Sequence, residues 1–199
     1  MSAEDSLSPT EKYPGVKPPP SPLISPALAD AIGKKGKVYM QNVKPGISST
    51  DAREAGCKEA LKAYPDITLI GVDYNEDDAS RAQAQTQAVL QRVPDLAGIF
   101  GTNVFSASGA GAVVANAGLS GKVKVVAFDA TKDAIQKLQA KTVDLVIAQK
   151  PFDMGYFAVI MANAYLEGVT SIPPRIPTGY AIITRDNVDD PNVARFIYQ

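Results

Sequence analysis

The sequence predicts an α/β fold with an open parallel sheet of five to six strands flanked by helices. From Leu28 onward, short apolar or β-branched runs alternate with longer segments of helical periodicity, which is typical of such sheets. The chain of 199 residues is also long enough to bury a sizeable core. Crossovers between successive parallel strands are expected to be right-handed. Together these features predict a doubly covered, Rossmann-like sheet.

Six apolar runs are the predicted strands. They cover residues 37–41, 67–73, 96–101, 123–128, 145–148 and 180–184. Five full helices are predicted between them, at residues 49–63, 77–92, 105–117, 133–140 and 151–167, with a shorter helical piece at 26–32. Ser48, Ser49 and Thr50 are candidate caps for the first full helix, and Thr131 is the candidate cap for the fourth.

The N-terminal residues differ in composition from the rest of the chain. Seven of the 15 prolines fall within the first 26 residues, among polar residues without an apolar period. Such a segment cannot bury enough apolar surface to offset its ordering entropy, so we expect residues 1–27 to form a disordered or extended tail. The segment lacks the apolar core of a secretory signal, so expression in the cytoplasm stays open.

The composition excludes several classes of chemistry. The chain has no histidine, a single cysteine (Cys57) and a formal net charge of -1. Catalysis that needs histidine, imidazole metal sites, disulfides and CxxC motifs are therefore excluded, and no basic face for nucleic acid is expected. The longest apolar stretch, residues 156–166, is shorter than the ~20 residues of a membrane span. We expect neither an enzyme nor a resident metal or cofactor.

A glycine-rich segment offers an alternative. Residues 109–115 fit the pattern G-x-G-x-x-A, and Asp129 follows at the end of a predicted strand, as in a dinucleotide-binding fingerprint. The glycines of that fingerprint form the turn between strand and helix, whereas here they fall inside a predicted helix. Close helix packing is the favoured interpretation, and a nucleotide-binding enzyme domain is kept as the lesser one.

Polar and aromatic residues follow the predicted strands. Because ligands of open parallel sheets bind beyond the carboxyl ends of the strands, these residues form the candidate site. A cation, an acid, two amides and a ring suit a neutral polyol, whose hydroxyls donate and accept and whose apolar face stacks on aromatic rings. The candidate residues are Arg53, Tyr74, Asn103, Asp129 and Gln149. No catalytic or metal-binding group is predicted among them.

Each candidate also has a simpler interpretation: Tyr74 could cap the core, and Gln149 could do no more than satisfy backbone groups. Arg53 could form a surface ion pair with Glu54 or Asp51. Asn103 and Asp129 could do no more than cap helices. The ligand-binding interpretation depends on the position that the candidates share at one edge of the sheet.

These residues lie in segments that resemble the type I periplasmic sugar-binding proteins of ABC importers, especially the ribose-binding group. The segments are Thr-Asp-Ala-Arg-Glu-Ala-Gly at 50–56, Val-Asp-Tyr at 72–74, Gly-Ile-Phe-Gly-Thr-Asn at 98–103, Val-Val-Ala-Phe-Asp-Ala-Thr at 125–131 and Ile-Ala-Gln at 147–149. They follow one another in the order and spacing of that family over residues 28–190. Singly each segment is weak evidence, and as a set they are specific.

The resemblance implies a non-catalytic sugar-binding module. It implies that Arg53, Asn103, Asp129 and Gln149 bind sugar hydroxyls and that Tyr74 stacks on the sugar. It also implies a pentose or hexose ligand, docking on an ABC permease, and a periplasmic or extracellular location. The effector-binding core of a lactose-repressor-like regulator shares the fold and is an alternative, although residues 1–27 supply no helix-turn-helix.

The resemblance further implies that the chain is an N-terminally truncated copy. Residues 28–150 correspond to the second, sugar-binding lobe of a two-lobed protein. Residues 151–177 would form a helix and crossover that pack on the first lobe, and residues 178–199 a returning strand and C-terminal segment. Without that lobe we expect weakened binding, together with self-association through the apolar helix 151–167.

Overall fold

The computed structural model describes residues 24–198. The contacts within this range divide it into two units. Residues 24–150 and 179–198 form the larger one, called here the sheet unit. Residues 151–178 form the smaller one, called here the helical segment.

The sheet unit contains one six-stranded sheet. Its strands are β1 (Gly36–Asn42), β2 (Ile67–Tyr74), β3 (Leu96–Gly101), β4 (Lys124–Phe128), β5 (Leu145–Ala148) and β6 (Ala181–Ile183). They lie in the order β2-β1-β3-β4-β5-β6, which makes β2 an edge strand. The first five strands are parallel, which confirms the predicted fold class. The sixth pairs antiparallel with β5, which departs from the predicted all-parallel sheet.

Seven helices accompany the strands within the described residues. They are α1 (Ile24–Ala31), α2 (Ser48–Leu61), α3 (Ala79–Arg92), α4 (Val104–Asn116), α5 (Lys132–Gln139), α6 (Pro151–Leu166) and α7 (Pro191–Ala194). The short α7 was not predicted from the sequence. Because α1 already begins at Ile24, the predicted tail is wrong for residues 24–27; a proline such as Pro26 is tolerated in the first turn. The rest of that prediction, residues 1–23, lies outside the described range.

The helix caps agree only partly with the prediction. Thr131 caps α5 as predicted, since its side chain accepts a hydrogen bond from the backbone N–H of Ala134. Helix α2, in contrast, begins after Ile47 without a side-chain cap, and the serines belong to the helix itself. The carboxylate of Asp51 instead accepts a hydrogen bond from the Gly46 N–H at 2.9 Å, which closes the loop before the helix.

The core of the sheet unit has two halves, one on each face of the sheet. Alternate strand residues belong to different halves, as the two-residue period of a strand requires. Ile99 and Val125 pack with apolar residues of α3, α4 and α5 on one face. Phe100 and Val126 pack with residues of α1 and α2 on the other. Burial on both faces explains why the central strands are nearly continuous apolar runs.

Two glycines allow α4 to lie close to its neighbours. A Cβ atom at Gly101, at the end of β3, would lie 2.4 Å from the backbone nitrogen of Ala107. One at Gly109 would lie 2.6 Å from the carbonyl oxygen of Ala79, in α3. The glycines at 109 and 111 are thus inside α4, which confirms the packing interpretation. These glycines do not lie in the turn between strand and helix, where a dinucleotide-binding loop requires them.

The helical segment consists of α6 and an extended stretch. None of the residues of α6 is buried. Phe152 is 68% exposed and Leu166 is 82% exposed, and the rings of Phe152 and Tyr156 stack with centroids 6.2 Å apart. None of the described helices combines the length and the hydropathy that crossing a membrane requires.

Candidate ligand-binding site

Arg53 lies at the carboxyl edge of the sheet, one turn into α2. Its side chain is turned inward and only 9% of the residue is exposed. The guanidinium carbon stacks 3.7 Å above the ring of Phe128, the last residue of β4. One guanidinium nitrogen, Nη1, donates a hydrogen bond of 2.7 Å to the carbonyl oxygen of Thr102. The fixed fork of the guanidinium is therefore held by a ring and a carbonyl, and Arg53 is not a surface ion-pair partner of Glu54 or Asp51.

Asp129 and Gln149 lie beside this guanidinium. Asp129 follows β4 in the left-handed backbone region, with a φ of 77°, and its N–H donates to the carbonyl oxygen of Ile147 in β5. Its carboxylate oxygen Oδ2 is 3.5 Å from Nη1 of Arg53. Its other oxygen, Oδ1, accepts a hydrogen bond from the side-chain amide of Gln149, one residue beyond β5. Three of the five predicted residues are thus brought together.

Tyr198 completes the group, although the sequence did not point to it. Its hydroxyl accepts a hydrogen bond of 3.0 Å from the backbone N–H of Gln149 and lies 3.4 Å from Oδ1 of Asp129. Its own N–H donates to the carbonyl oxygen of Ala130. Only the folded chain reveals this contact, since 49 residues separate Tyr198 from Gln149. These four residues, Arg53, Asp129, Gln149 and Tyr198, are called here the Arg53 cluster.

The electrostatics of the Arg53 cluster follow from its partial burial. Burial lowers the pKa of the Arg53 guanidinium, and the neighbouring carboxylate of Asp129 opposes that shift. Arginine nevertheless stays charged over the physiological range. Burial, and then the charge of Asp129, raises the pKa of the Tyr198 hydroxyl to about 12, so that hydroxyl stays protonated at neutral pH. The cluster therefore offers a fixed cation, a fixed anion, an amide and a hydroxyl.

Asn103 borders the Arg53 cluster without a hydrogen bond to it among the described residues. It is the N-cap of α4, where its Oδ1 accepts a hydrogen bond of 3.0 Å from the Ser106 N–H. Its Nδ2 donates to the carboxylate of Asp77. Asn103 directly follows Thr102, whose carbonyl oxygen binds Arg53, so the backbone of Asn103 adjoins the cluster.

Tyr74 belongs to a separate group of side chains. Its hydroxyl lies 3.3 Å from Oε2 of Glu54, which also accepts a hydrogen bond of 2.6 Å from the side-chain amide of Asn42. Lys58 pairs with the other oxygen of Glu54 at 2.6 Å. Tyr74, Glu54, Asn42 and Lys58 are called here the Tyr74 cluster. Although burial opposes the shift, hydrogen bonds from Lys58 and Asn42 hold the pKa of Glu54 below its usual range.

The order of the strands separates Tyr74 from Asp129, although Arg53 and Glu54 are consecutive residues of α2. Tyr74 ends the edge strand β2, whereas Asp129 follows β4, and β1 and β3 lie between them. The structure therefore does not bring Tyr74 to the four-residue group, and its stacking role stays a prediction. Metal binding has no support in residues 24–198, where no three potential ligands among His, Cys, Asp and Glu come together.

Comparison with known proteins agrees with this architecture. Residues 25–170 match the family model of the periplasmic binding protein domain. The chain belongs to this family. A solved ABC transporter solute binding protein from Agrobacterium vitis, bound with alpha-D-tagatopyranose, is 49% identical and superposes with a TM-score of 0.84 over 90% of this chain. A second from the same organism, with bound D-fucose, is 28% identical, with a TM-score of 0.80 over 89% of the chain.

A curated relative gives the same result. The D-allose-binding periplasmic protein of Escherichia coli K12 is 34% identical over 129 residues, which are 64% of this chain and 42% of that protein. The two solved structures are covered to 60% and 61% of their length. This periplasmic binding protein domain thus spans about two fifths to three fifths of the length of these three relatives, each of which is named as a binding protein.

Proposed function

We propose that this periplasmic binding protein domain binds a monosaccharide reversibly, without converting it. The observation that carries the proposal is the Arg53 cluster at the carboxyl edge of the sheet. Its three predicted members come from different elements and meet at one point. A purely structural ion pair does not need a stacked guanidinium, an amide and a hydroxyl around one carboxylate at a surface where parallel sheets bind ligands.

The chemistry of the cluster suits sugar hydroxyls. A hydroxyl donates one hydrogen bond and accepts others, so it needs a donor and an acceptor close together. Arg53 is the charged donor and Asp129 is the charged acceptor, and hydrogen bonds to ionised groups are the stronger kind. Gln149 adds a neutral amide, while the ring of Phe128 under the guanidinium keeps water from its buried face.

The ligands of these relatives define the candidate sugars. They are D-tagatose in its pyranose form, D-fucose and D-allose. All are neutral six-carbon sugars, and a ring that presents several hydroxyls matches the donors and acceptors of the cluster. A pentose or a hexose is therefore the proposed ligand class for this chain.

The proposed role of the whole protein is that of a substrate-binding component of an ABC importer. A permease partner and a periplasmic or extracellular location follow from that role, as does the lack of catalytic activity. Residues 28–150 would act as the sugar-binding lobe, and residues 151–177 would pack on another lobe. If residues 28–150 alone contact the sugar and supply about half of a micromolar binding free energy, the expected dissociation constant is in the millimolar range, which corresponds to a binding free energy of about -4 kcal/mol.

Calorimetric and NMR titrations of the chain with D-tagatose, D-allose and D-ribose test the proposal. We expect binding of at least one sugar and a loss of about tenfold or more in Arg53→Ala, because a charge-assisted bond is removed. Lys62→Ala is the matched control, since it removes an exposed cation at the end of the same helix that pairs with Glu59.

The control is expected to leave the affinity within about twofold. Arg53→Lys separates an effect on folding from an effect on ligand recognition, because lysine keeps the positive charge but lacks the planar guanidinium with its several N–H donors. Circular dichroism shows whether each variant is folded. Equal affinities of the folded Arg53 variants and the original chain would remove the Arg53 cluster as the binding site.

A further inference from the structure

Asn42, the last residue of β1, is a fully buried carboxamide with hydrogen bonds at both of its polar atoms. Its Oδ1 accepts hydrogen bonds of 2.8 Å from the N–H of Val43 and 2.7 Å from the hydroxyl of Thr102. Its Nδ2 donates a hydrogen bond of 2.6 Å to Oε2 of Glu54. A polar group in a protein interior costs free energy unless it is paired in this way. The three contacts therefore hold the Asn42 amide in one orientation.

Both side-chain partners of Asn42 adjoin Arg53, and they come from different elements. Thr102 directly follows β3, and its main-chain carbonyl oxygen accepts the hydrogen bond of 2.7 Å from Nη1 of Arg53. The N–H of Thr102 donates to the carbonyl oxygen of Gln41, so that its N–H and its hydroxyl both tie it to β1. Glu54 directly follows Arg53 in α2. Asn42 thus contacts the residue that accepts from the guanidinium and the neighbour of the residue that carries it.

The direction of the Arg53 guanidinium depends on the Thr102 carbonyl. Stacking on the ring of Phe128 sets the plane of the guanidinium, and the hydrogen bond to Thr102 sets where its N–H groups point within that plane. The contact with the carboxylate of Asp129 is longer, at 3.5 Å, and orients the group less. Because hydrogen bonds weaken steeply when they are misaligned, a donor that binds a ligand gains from neighbours that fix its direction.

We propose that Asn42 is a positioning residue for ligand binding, which holds the Arg53 guanidinium in the orientation that a sugar hydroxyl requires. It acts through its two side-chain partners, the Thr102 hydroxyl and the Glu54 carboxylate. This role rests on the proposed sugar-binding function, and Asn42 itself is too deeply buried to be a ligand contact. Loss of the support should weaken binding, because ordering a mobile side chain on association opposes it.

Four variants of the full chain isolate this effect. Asn42→Ala removes both connections to the neighbours of Arg53. Thr102→Val removes only the hydroxyl that binds Asn42 and leaves the main-chain carbonyl in place, whereas Thr102→Ser keeps a hydroxyl. Thr86→Val is the matched control, because the Thr86 hydroxyl is equally buried, belongs to α3 and has no hydrogen-bond partner within residues 24–198. Circular dichroism and urea unfolding show whether each variant is folded.

The first measurement needs no sugar. Hydrogen exchange of the Arg53 guanidinium is followed by NMR, and its signals are identified by their absence in Arg53→Lys. We expect exchange to be about tenfold faster in Asn42→Ala and Thr102→Val, because a guanidinium without this support opens to water more often. Thr102→Ser should restore most of the original protection, and Thr86→Val should keep the original rate within about twofold.

The second measurement is the affinity for whichever of D-tagatose, D-allose and D-ribose binds the original chain most tightly. We expect Asn42→Ala and Thr102→Val to weaken binding by about three- to tenfold, with most of the loss recovered in Thr102→Ser. Because Asn42 acts through Arg53, Asn42→Ala should cause no further loss in a chain that already carries Arg53→Ala. An effect on folding alone would add its full loss in the double variant.

Two results would overturn the positioning role in distinguishable ways. The sugars bind and Arg53→Ala weakens them, but the folded Asn42→Ala and Thr102→Val chains match Thr86→Val in exchange and affinity, or the losses are additive in the double variant. Asn42 is then not a positioning residue, and the proposed function stands. If none of the three sugars binds the original chain, the proposed function fails and the positioning role fails with it. If Asn42→Ala does not fold, Thr102→Val decides the comparison.

Discussion

The helices α4 and α6 have similar compositions and opposite surroundings. Both are apolar and rich in alanine, and each contains glycine. Helix α4 buries seven of its 13 residues against α3, α5 and the sheet, whereas α6 buries none of its 16. An apolar composition thus indicates that a helix is suited to a packing partner, but does not say whether the described chain provides one.

The first prediction compares a glycine of each helix and has the largest expected effect. Gly109→Ala forces a Cβ atom to within 2.6 Å of the Ala79 carbonyl oxygen, so we expect the free energy of unfolding to fall by about 1–3 kcal/mol. Gly155→Ala, in α6, has no atom within 4 Å of its new Cβ, and alanine favours helix by up to about 1 kcal/mol. Urea unfolding measures both variants. Equal losses in the two would refute the contrast between the helices.

The second prediction concerns the exposed apolar face of α6, through which we propose that copies of the chain associate. Phe152→Glu combined with Leu166→Lys should shift the sedimentation profile toward the monomer, because it interrupts an apolar patch. The unfolding free energy should change by less than about 1 kcal/mol, as for other exposed sites. Val114→Glu, the matched change in α4, places a charge in the core and should abolish cooperative unfolding.

Two outcomes would count against the association proposal. A chain that sediments as a monomer at all concentrations would show that the α6 face does not bind a second copy. An unchanged association in the double variant would locate the contact on another surface.

The third prediction has the smallest effect and belongs to the sheet unit alone. Because the pKa of Tyr198 is raised to about 12 in the folded chain, against about 10 in an unfolded one, folding favours its protonated form. The resulting contribution to stability is complete below pH 10 and is lost as the pH rises through 12. Alkaline unfolding should therefore be less steep with pH in Tyr198→Phe than in the original chain.

A second tyrosine provides the internal reference for this measurement. Burial and hydrogen bonding to Asp73 raise the pKa of Tyr39 as well, and that contribution is present in both chains. Only the difference between the two chains reports on Tyr198. Identical slopes would show that its hydroxyl is not held against Asp129.

The sequence predicted most of the fold because its strands are bounded clearly. The predicted runs at 96–101 and 145–148 coincide with β3 and β5, since apolar pairs on both faces of a parallel sheet give an unbroken signal. The prediction was wrong where the sequence has no clear hydrophobic periodicity. The direction of β6 depends on a connection without periodicity, and the start of α1 falls in a proline-rich stretch that favoured a tail.

The candidate site was predicted in the same uneven way. Asp129 and Gln149 follow neighbouring strands, so their position after β4 and β5 was enough to bring them together. Tyr74 also follows a predicted strand, but β2 lies at the sheet edge, and strand order cannot be read from the order of the elements along the chain. Tyr198 carries no local pattern that would have selected it.

The sequence by itself determined the fold class, the strands and the types of residue that follow the strand ends. Each of these depends on local periodicity and turn chemistry. Only the tertiary structure decided which of those residues meet. The packing of α2 on the sheet brought Arg53 to Asp129 and Glu54 to Tyr74, and the returning chain added Tyr198. Contacts between residues far apart in sequence are set by packing, and packing leaves no periodic trace in the sequence.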